Sequence, residues 1–390
     1  MRRRSCIYLI IDPLTRFERG VYEGVARFLS EKFPHFDLFI VSDAIAVDTK
    51  QSLKGIITLV TRPKHRTSLL HYGVPIVNVS GYLKSSKLPT VTCDDEGAGR
   101  MAAEYLINCR FHHFAYHQHT SGHSFDLRFR GFRNTIMTAG FECNQHEQYD
   151  KNLNDFADLN VSQQQNLRKW LISLPKPVGI FSGTDRDAWE IWNMCNALNL
   201  KVGKDVGLVG HGNDAFYCET RHPYLSSVEN RPDHLGYEAA ALLFHLIRGG
   251  KPPSQPILVP ASGIVPRESA NEFLVEDIHV DRAIQFIRRN LEHPQLIPEV
   301  FRHVPMSRRT LERRFTQCLG RTLGETIQEL KIVRIKHLLN TTSMKLHEIA
   351  PVCGFTNIFY MTRLFSKKMG ISPAKYRARF QHKAARASVS

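Results

Sequence analysis

Four charged residues near the start of a predicted helix have the types and spacing needed to recognise DNA bases. Ser307 is suited to cap the helix. Leu311 and Phe315 then recur at the spacing of one buried helix face. Arginine can form paired hydrogen bonds with guanine, and glutamate can accept a hydrogen bond from cytosine. The face predicted to be exposed carries these residue types, at Arg308, Arg309, Glu312 and Arg313.

A second helix of the same kind is predicted about 50 residues further along the chain. Asn357 is its expected N-cap, and Gly370 is expected to end it. The outward face is predicted to carry Ile358, Phe359, Thr362 and Arg363. Ile358 and Phe359 offer no hydrogen bonds, so we expect this helix either to contact thymine methyl groups or to pack on the DNA backbone. In both cases its half-site should be more degenerate than that of the first helix.

Two lysines follow late in the second helix, away from the end that would meet the bases. Lys367 and Lys368 are therefore expected to contact phosphates or to remain solvated. Residues Asp281–Ser390 contain 21 Lys and Arg against 7 Asp and Glu, a net charge of +14, whereas the whole chain has +15. Two amphipathic helices with merely solvated charges would also fit the helical pattern. The concentration of nearly all excess charge in this segment instead favours double-stranded DNA as its partner.

A different set of polar and aromatic residues lies in the N-terminal two-thirds, where strands and helices alternate. Asp185 follows a predicted strand, and Phe17 and Arg19 follow the first strand. Ligands of α/β sheets bind beyond the carboxyl ends of strands, so these side chains are candidate ligand contacts. Two alternatives stay open: Asp185 could cap the helix predicted over 185–199, and Phe17 could cover the core.

The histidines around a predicted strand at 112–119 raise the question of a metal site. His117 and His119 would share one face of the strand, but no carboxylate or cysteine completes a set with zinc-like spacing. We therefore predict no metal and no cofactor, and treat His119 as a candidate ligand contact. No catalytic motif is recognised, so we do not expect an enzyme.

The length of 390 residues predicts two or three domains. Buried apolar runs such as 6–11 alternate with helical periodicity up to about residue 269, which indicates a parallel α/β fold. The final strand of this part is predicted over 257–269. Eight scattered cysteines without a C-x-x-C pair, no recognisable signal peptide and no apolar run of membrane-spanning length predict a cytoplasmic protein without membrane contact.

The C-terminal residues resemble the DNA-binding domain of the AraC-type regulators. The resemblance rests on many positions that agree in order and spacing, among them Ile349-Ala350, Cys353-Gly354-Phe355, Phe365, Gly370, Ser372-Pro373 and Tyr376-Arg377. It implies two helix-turn-helix units joined by a long helix at about Leu323–Leu339. It also implies that Arg309, Glu312 and Arg313 face base edges.

The N-terminal part resembles the effector-binding domain of LacI-type regulators, which is similar to periplasmic sugar-binding proteins. The residues that carry this resemblance include 94–116, 127–132 and 181–185. It implies that Arg128, three residues before Gly131-Phe132, reaches the ligand and that Asp185 does so too. Where relatives often have Asp, this chain has Gly212, so Asn213 or Asp214 is expected to substitute.

Together the two resemblances imply an α/β two-lobed periplasmic-binding-protein-like domain followed by an all-α domain with two helix-turn-helix units. We expect the first domain over 1–270, a linker over 271–280 and the DNA-binding domain over 281–385. The expected function is a homodimeric transcription factor that binds an operator and a sugar effector, with a pentose such as xylose as the candidate. An activator, which would contact RNA polymerase, is the first hypothesis. The alternatives are a repressor, a regulator of another sugar, and a secreted or cytosolic sugar-binding protein.

Overall fold

The computed structural model describes residues 5–13, 15–42, 52–147, 159–270, 277–342 and 344–378. The chain divides into two compact units, Met1–Asn271 and Glu272–Ser390. The strands all lie in the first unit and are β1 Ser5–Ile10, β2 Asp37–Val41, β3 Ser52–Thr58, β4 Ile76–Asn78, β5 Val91–Cys93, β6 His113–Gln118, β7 Cys143–Glu147, β8 Val178–Ser182, β9 Val206–His211, β10 Ser226–Glu229, β11 Ile257–Val259 and β12 Gly263–Val265. Its helices are α1 Arg16–Lys32, α2 Pro63–Leu70, α3 Asp95–Asn108, α4 His123–Thr138, α5 Val161–Ser173, α6 Asp185–Ala197, α7 Ala215–Cys218 and α8 Pro232–Ile247.

The first unit is built from two lobes. In lobe 1, the parallel strands β2-β1-β3-β4 form a sheet, and α1 and α8 pack against one of its faces. The apolar run of β1 is buried on both faces, as predicted for a parallel strand. In lobe 2, the sheet has the order β12-β10-β9-β8-β6-β7, and its strands are parallel except for β12, which runs antiparallel to β10.

The chain crosses from one lobe to the other near the end of the first unit, between the short strands β11 and β12. The prediction of one final strand over 257–269 is wrong, because this segment forms two strands in different sheets. β11 pairs with β5, whereas β12 pairs with β10 of lobe 2. Pro260 and the residues up to Ser262 lie between them outside any strand. The apolar residues before and after Pro260 therefore belong to different sheets, which periodicity alone does not reveal.

Helices α3 and α4 pack closely enough to require glycine at their crossing. A Cβ atom on Gly99 would lie 2.0 Å from the carbonyl oxygen of Arg128, and one on Gly131 would lie 2.0 Å from that of Glu96. These two glycines allow the backbones to touch. The contact fixes α4, and with it Arg128, against the start of α3.

The second unit is helical in its described part. Its helices are α9 Ile278–Arg289, α10 Leu296–His303, α11 Arg308–Leu319, α12 Leu323–Thr341, α13 Leu346–Val352 and α14 Ile358–Met369. Two apolar clusters form its core, one around α9–α11 and one around α13 and α14. The long helix α12 contributes Leu323, Ile327 and Leu330 to the first cluster and Ile332, Ile335 and Leu339 to the second. This confirms two helix-turn-helix units joined by a long helix.

Candidate functional sites

A cavity of about 320 Å³ lies between the two lobes of the first unit. Its walls come from strand ends and helix starts of both lobes, as expected for a ligand site in an α/β fold. Lobe 1 contributes the start of α1 and the loops after β3 and β4, and lobe 2 contributes the starts of α4 and α6 and the loop after β9. Of the predicted ligand residues, the cavity wall includes Phe17, His119, Arg128 and Asp185.

Arg128 is held at the cavity wall by two hydrogen bonds. Its Nε donates to Asp95 Oδ1 at 2.7 Å, and its Nη1 donates to the carbonyl oxygen of Gly183 at 2.6 Å. Asp95 and Arg128 are both buried, and the Arg128 guanidinium also lies 4.8 Å from the ring centre of Phe125. A guanidinium has five N–H donors, so these bonds leave donors for a ligand. The expectation that Arg128 reaches the ligand remains a prediction, and its place in the wall supports it.

Asp185 also lines the cavity, but it does not cap α6. That alternative was wrong, since the cap is Thr184, whose side chain accepts a hydrogen bond from the backbone N–H of Asp187. Asp185 instead accepts hydrogen bonds from Ser227 Oγ at 2.5 Å and from the backbone N–H of Asp214 at 2.7 Å. Burial raises the pKa of Asp185 to about 6. This carboxyl therefore organises the lobe 2 wall of the cavity.

Three further polar side chains of the wall are buried and carry an atom without a hydrogen-bond partner among the described residues. These atoms are His119 Nδ1, Asp187 Oδ2 and His211 Nε2. Glu190 Oε2 lies 3.9 Å from His119 Nδ1, beyond hydrogen-bond distance. Burial raises the pKa of Asp187 to about 6 and lowers the pKa of both histidines. Because unsatisfied buried polar atoms are costly, these three atoms are candidate contacts for a polar ligand.

The loop after β1 places a different arginine in the cavity from the one we predicted. Arg19 is exposed, lies outside the cavity wall, and donates from Nη1 to the carbonyl oxygen of Pro13 at 3.4 Å. Arg16 lines the cavity instead. The cause is the position of the helix start, because Thr15 and Glu18 form a capping box that begins α1 at Arg16. The T-x-x-E pattern at 15–18 was the sequence signal for this start.

Arg16 joins the two lobes beside the cavity. Its Nη1 donates to the carbonyl oxygen of Gly212 at 2.5 Å, and its Nη2 donates to Glu229 Oε1 at 2.6 Å. Asn213, one of the two predicted substitutes for an acidic residue, lies outside the cavity wall and donates from Nδ2 to Glu229 Oε2. Its neighbour Asp214 does line the cavity. Asn213 thus contacts Glu229, the partner of Arg16, and of the two predicted substitutes only Asp214 lines the cavity.

The segments that the structure describes contain no group of three or more His, Cys, Asp or Glu side chains that could hold a metal ion. His117 is buried, and its Nδ1 lies 3.0 Å from Nδ1 of His146, in a stack with Trp170. Within the same segments, no helix is long and apolar enough to cross a membrane.

The predicted DNA-reading surface of the first helix-turn-helix unit is exposed on α11. Ser307 caps the helix as predicted, and Leu311 and Phe315 are buried. The predicted reading residues Arg308, Arg309, Glu312 and Arg313 all have exposed side chains. Arg308 Nε donates to Glu312 Oε1 at 2.9 Å, and its guanidinium lies 5.1 Å from the ring centre of Phe301.

The corresponding surface on α14 is less exposed than predicted at Ile358 and Thr362. Asn357 caps the helix, and Gly370 ends it in a left-handed conformation, both as predicted. Ile358, which we expected to face outward, is half-buried and packs against the second apolar cluster. The cause is tertiary packing, because the cluster that this side chain contacts is built from residues of α12, α13 and α14. Phe359 and Arg363 are exposed, Thr362 is half-buried, and Lys367 and Lys368 are exposed.

A buried lysine of α12 binds the turn of the second helix-turn-helix unit. Lys331 Nζ donates to the carbonyl oxygen of Gly354 at 2.7 Å and lies 4.8 Å from the ring centre of Phe355. Gly354 adopts φ +68°, and a Cβ atom there would lie 2.4 Å from the carbonyl oxygen of Leu291. The turn of the second unit therefore contacts the end of α9 in the first.

Two protein families match this chain. The periplasmic binding protein-like domain family matches residues 103–270, and a helix-turn-helix domain family matches residues 300–379. Together with the cavity and the basic helical unit, these matches define the class. The chain is a sugar-responsive, DNA-binding transcription regulator that carries a periplasmic binding protein-like domain and a helix-turn-helix domain.

Within that class, the chain is similar over nearly its whole length to the xylose operon regulatory proteins. It is 28% identical to the one from Haemophilus influenzae, over 95% of this chain and 97% of that protein. It is also 28% identical to the one from Escherichia coli strain K12, over 96% of this chain and 97% of that protein. A solved structure described as xylose-binding transcription activator xylR matches with a TM-score of 0.60 and 25% identity, covering 97% of this chain and 99% of that one.

Proposed function

We propose that this regulator activates genes of pentose catabolism when a pentose, with xylose as the first candidate, binds in the cavity between the lobes. We further propose that it acts in the cytoplasm as a homodimer, contacts RNA polymerase, and binds its effector without catalysis. The cavity carries the ligand part of this proposal. It combines buried hydrogen-bonding atoms without partners with the aromatic side chains of Phe17 and Tyr217, a combination suited to a sugar.

The charges around the cavity favour a neutral ligand over a phosphorylated one. Arg16 is paired with Glu229 and Arg128 with Asp95, at N–O distances of 2.6 and 2.7 Å. A third arginine of the wall, Arg186, lies 3.9 Å from Glu190. Each positive charge thus already has an acidic neighbour, and a phosphate would add negative charge beside these carboxylates.

The size of the cavity favours a monosaccharide. Its volume of about 320 Å³ is near the lower end of the roughly 300–1,000 Å³ typical of small-molecule sites. The names of the xylose operon regulatory proteins, and of the solved xylose-binding activator, point to a pentose among monosaccharides.

The DNA part of the proposal assigns roles on α11 and α14. Arg309, Glu312 and Arg313 would contact base edges, and Arg363 would contribute to the second half-site. Arg308, which is held by Glu312 and Phe301, would support the reading residues or contact a phosphate. Lys367 and Lys368 would contact phosphates.

The test is thermal unfolding of the full chain with a panel of neutral pentoses, hexoses and pentose phosphates. A ligand at about 100 times its Kd stabilises the folded state by roughly 2.7 kcal/mol, so one neutral pentose should raise the Tm clearly above the others. Binding to an operator selected from random DNA is then measured with and without that sugar. A Tm rise only with pentose phosphates, or operator binding unchanged by every sugar that binds, would contradict the proposal.

A further inference from the structure

Two adjacent aromatic side chains project from the first turn of α14. Phe359 is 80% exposed and Tyr360 is 54% exposed. Among the large hydrophobic side chains that the structure describes, Phe359 has the highest exposed fraction. Apolar area left in water does not gain the stabilisation that burial would give. The exposed rings therefore do not serve the stability of the fold, and we look for a binding partner.

The helix cannot rotate to bury these two rings. Asn357 Oδ1 accepts hydrogen bonds from the backbone N–H groups of Phe359 at 2.7 Å and Tyr360 at 3.3 Å, which fixes the first turn. On the opposite face, Met361, Leu364 and Phe365 are buried in the second apolar cluster. Turning the rings inward would expose that buried face, so the aromatic pair is held outward.

The surroundings of the pair identify the kind of partner. In a helix-turn-helix, the N-terminal residues of the second helix are those that meet base edges in the major groove. Further along the same helix, Arg363, Lys367 and Lys368 are exposed cations, complementary to the phosphates on either side of a groove. The apolar group that bases present in the major groove is the C5-methyl of thymine.

We propose that Phe359 and Tyr360 form an apolar reading pair that selects thymine methyl groups in the half-site of the second helix-turn-helix unit. Phe359 has no hydrogen-bonding side-chain atom, so its contribution to sequence preference comes from methyl burial. Ile358 has no part in it, since its side chain packs inward against the apolar cluster. This proposal rests on DNA binding by the helical unit and is independent of which sugar binds the cavity.

The partner is DNA rather than a protein surface. Apolar patches that dock proteins usually extend over several hundred square ångströms. Here Ile358 and Met361, the neighbours of the aromatic pair along the helix, turn inward, and the exposed cations begin one turn later, at Arg363. Two rings flanked by positive charge fit a groove lined by methyl groups and phosphates better than an apolar protein surface.

The test removes single methyl groups from the DNA. An operator is first selected from random duplexes with the full-length wild-type chain. Each thymine is then replaced, one at a time, by deoxyuridine, which lacks only the C5-methyl and keeps the base pair. At one or two positions under α14, the replacement should weaken wild-type binding by about three- to fivefold, the effect expected for burial of one methyl-sized group.

The same DNA series is measured with Phe359→Ala. If Phe359 contacts the methyl, the variant should bind the deoxyuridine and thymine operators equally at that position, so that the two changes are not additive. Deoxyuridine under α11 should affect wild type and variant by the same factor and serves as the internal control. Tyr360→Phe, which keeps the ring, should retain the thymine preference, and Lys367→Ala should weaken all operators alike.

Three results would overturn the proposal. The selected motif could lack thymine under α14, or deoxyuridine could weaken wild type and Phe359→Ala equally at every position. Alternatively, Phe359→Ala could keep the operator preference and lose transcription activation in a reconstituted assay, which would assign the ring to a protein partner. Because Phe359 is exposed, an unchanged Tm of the variant is expected and shows that it folds. Failure of the wild-type chain to select any DNA would instead contradict DNA binding itself.

Discussion

At the scale of single residues, the cavity contains two carboxyls that should make ligand binding depend on pH. Burial raises the pKa of Asp185 and of Asp187 from 3.8 to about 6. A folded state with a raised carboxyl pKa binds protons more tightly than the unfolded state. The stability contributed by these groups is therefore greatest at low pH and decreases as pH rises from about 4 to about 6.

Sugar affinity should change with pH in the opposite direction. A sugar hydroxyl that donates to Asp187 Oδ2 favours the ionised carboxylate, so the affinity should fall as pH drops below about 6, approaching tenfold per pH unit for one coupled proton. Asp187→Asn should flatten this profile, and Asp126→Asn, on an exposed position of α4, should not. Calorimetric titrations at pH 5, 6 and 7 measure the effect. If the sugar affinity of the wild type does not change between pH 5 and pH 7, a hydroxyl contact to the ionised Asp187 is excluded.

The sequence predicted which residue types line the cavity better than it predicted which individual positions do so. Arg128, Asp185, His119 and Phe17 were found from their places after strands and in motifs. Arg16 was missed, because the choice between Arg16 and Arg19 depends on where α1 begins. The pairing of Arg128 with Asp95 was also missed, since it joins residues 33 positions apart on two helices whose crossing the sequence does not specify.

At the scale of elements, the start of α1 acts as a connection between the lobes. Arg16 reaches Gly212 and Glu229 across the cavity, whereas Arg19 lies outside the cavity wall on the same helix. Arg16→Met should therefore weaken sugar binding by about 10- to 100-fold, since hydrogen bonds to charged groups contribute roughly 1.5–3 kcal/mol. Calorimetry with the sugar identified by thermal unfolding gives the measurement.

Arg19→Met is the matched control for this prediction. It removes the same charge from the same helix, and it should leave sugar affinity within about twofold of wild type, as surface substitutions generally have small effects. Equal losses in both variants would mean that the positive charge of α1, rather than the contact between lobes, supports binding.

Element types were predicted well where local chemistry decides them. The caps at Ser307, Asn357 and Gly370 are all present. The long helix, predicted to end near Leu339, continues to Thr341. Elements with weak local patterns were not predicted, among them the short α2 and the edge strand β7, whose residues are mostly polar and only partly buried. Long-range packing decides such segments.

At the scale of the whole molecule, the two compact units differ in charge. Residues 272–390 contain 21 Lys and Arg against 10 Asp and Glu, a net charge of +11, and residues 1–271 have +4. The fragment 272–390 should bind non-specific DNA with an affinity that falls about a thousandfold or more between 50 and 200 mM salt, if it neutralises about six phosphates. The fragment 1–271 should show no such binding. Fluorescence anisotropy with a random duplex tests both, and equal binding by the two fragments would contradict this division.

The contact between the turn at Gly354 and the end of α9 has a consequence for the DNA that this protein can use. Lys331 of α12 binds the carbonyl oxygen of Gly354, and the Gly354 backbone closely approaches Leu291. We therefore expect packing, and not a flexible connection, to set the distance between α11 and α14. Each base pair inserted between two half-sites displaces one of them by about 3.4 Å and rotates it by about a tenth of a turn. The protein should therefore require a fixed number of base pairs between the two half-sites. An operator whose half-sites have the right sequences but the wrong spacing should be bound through only one of them.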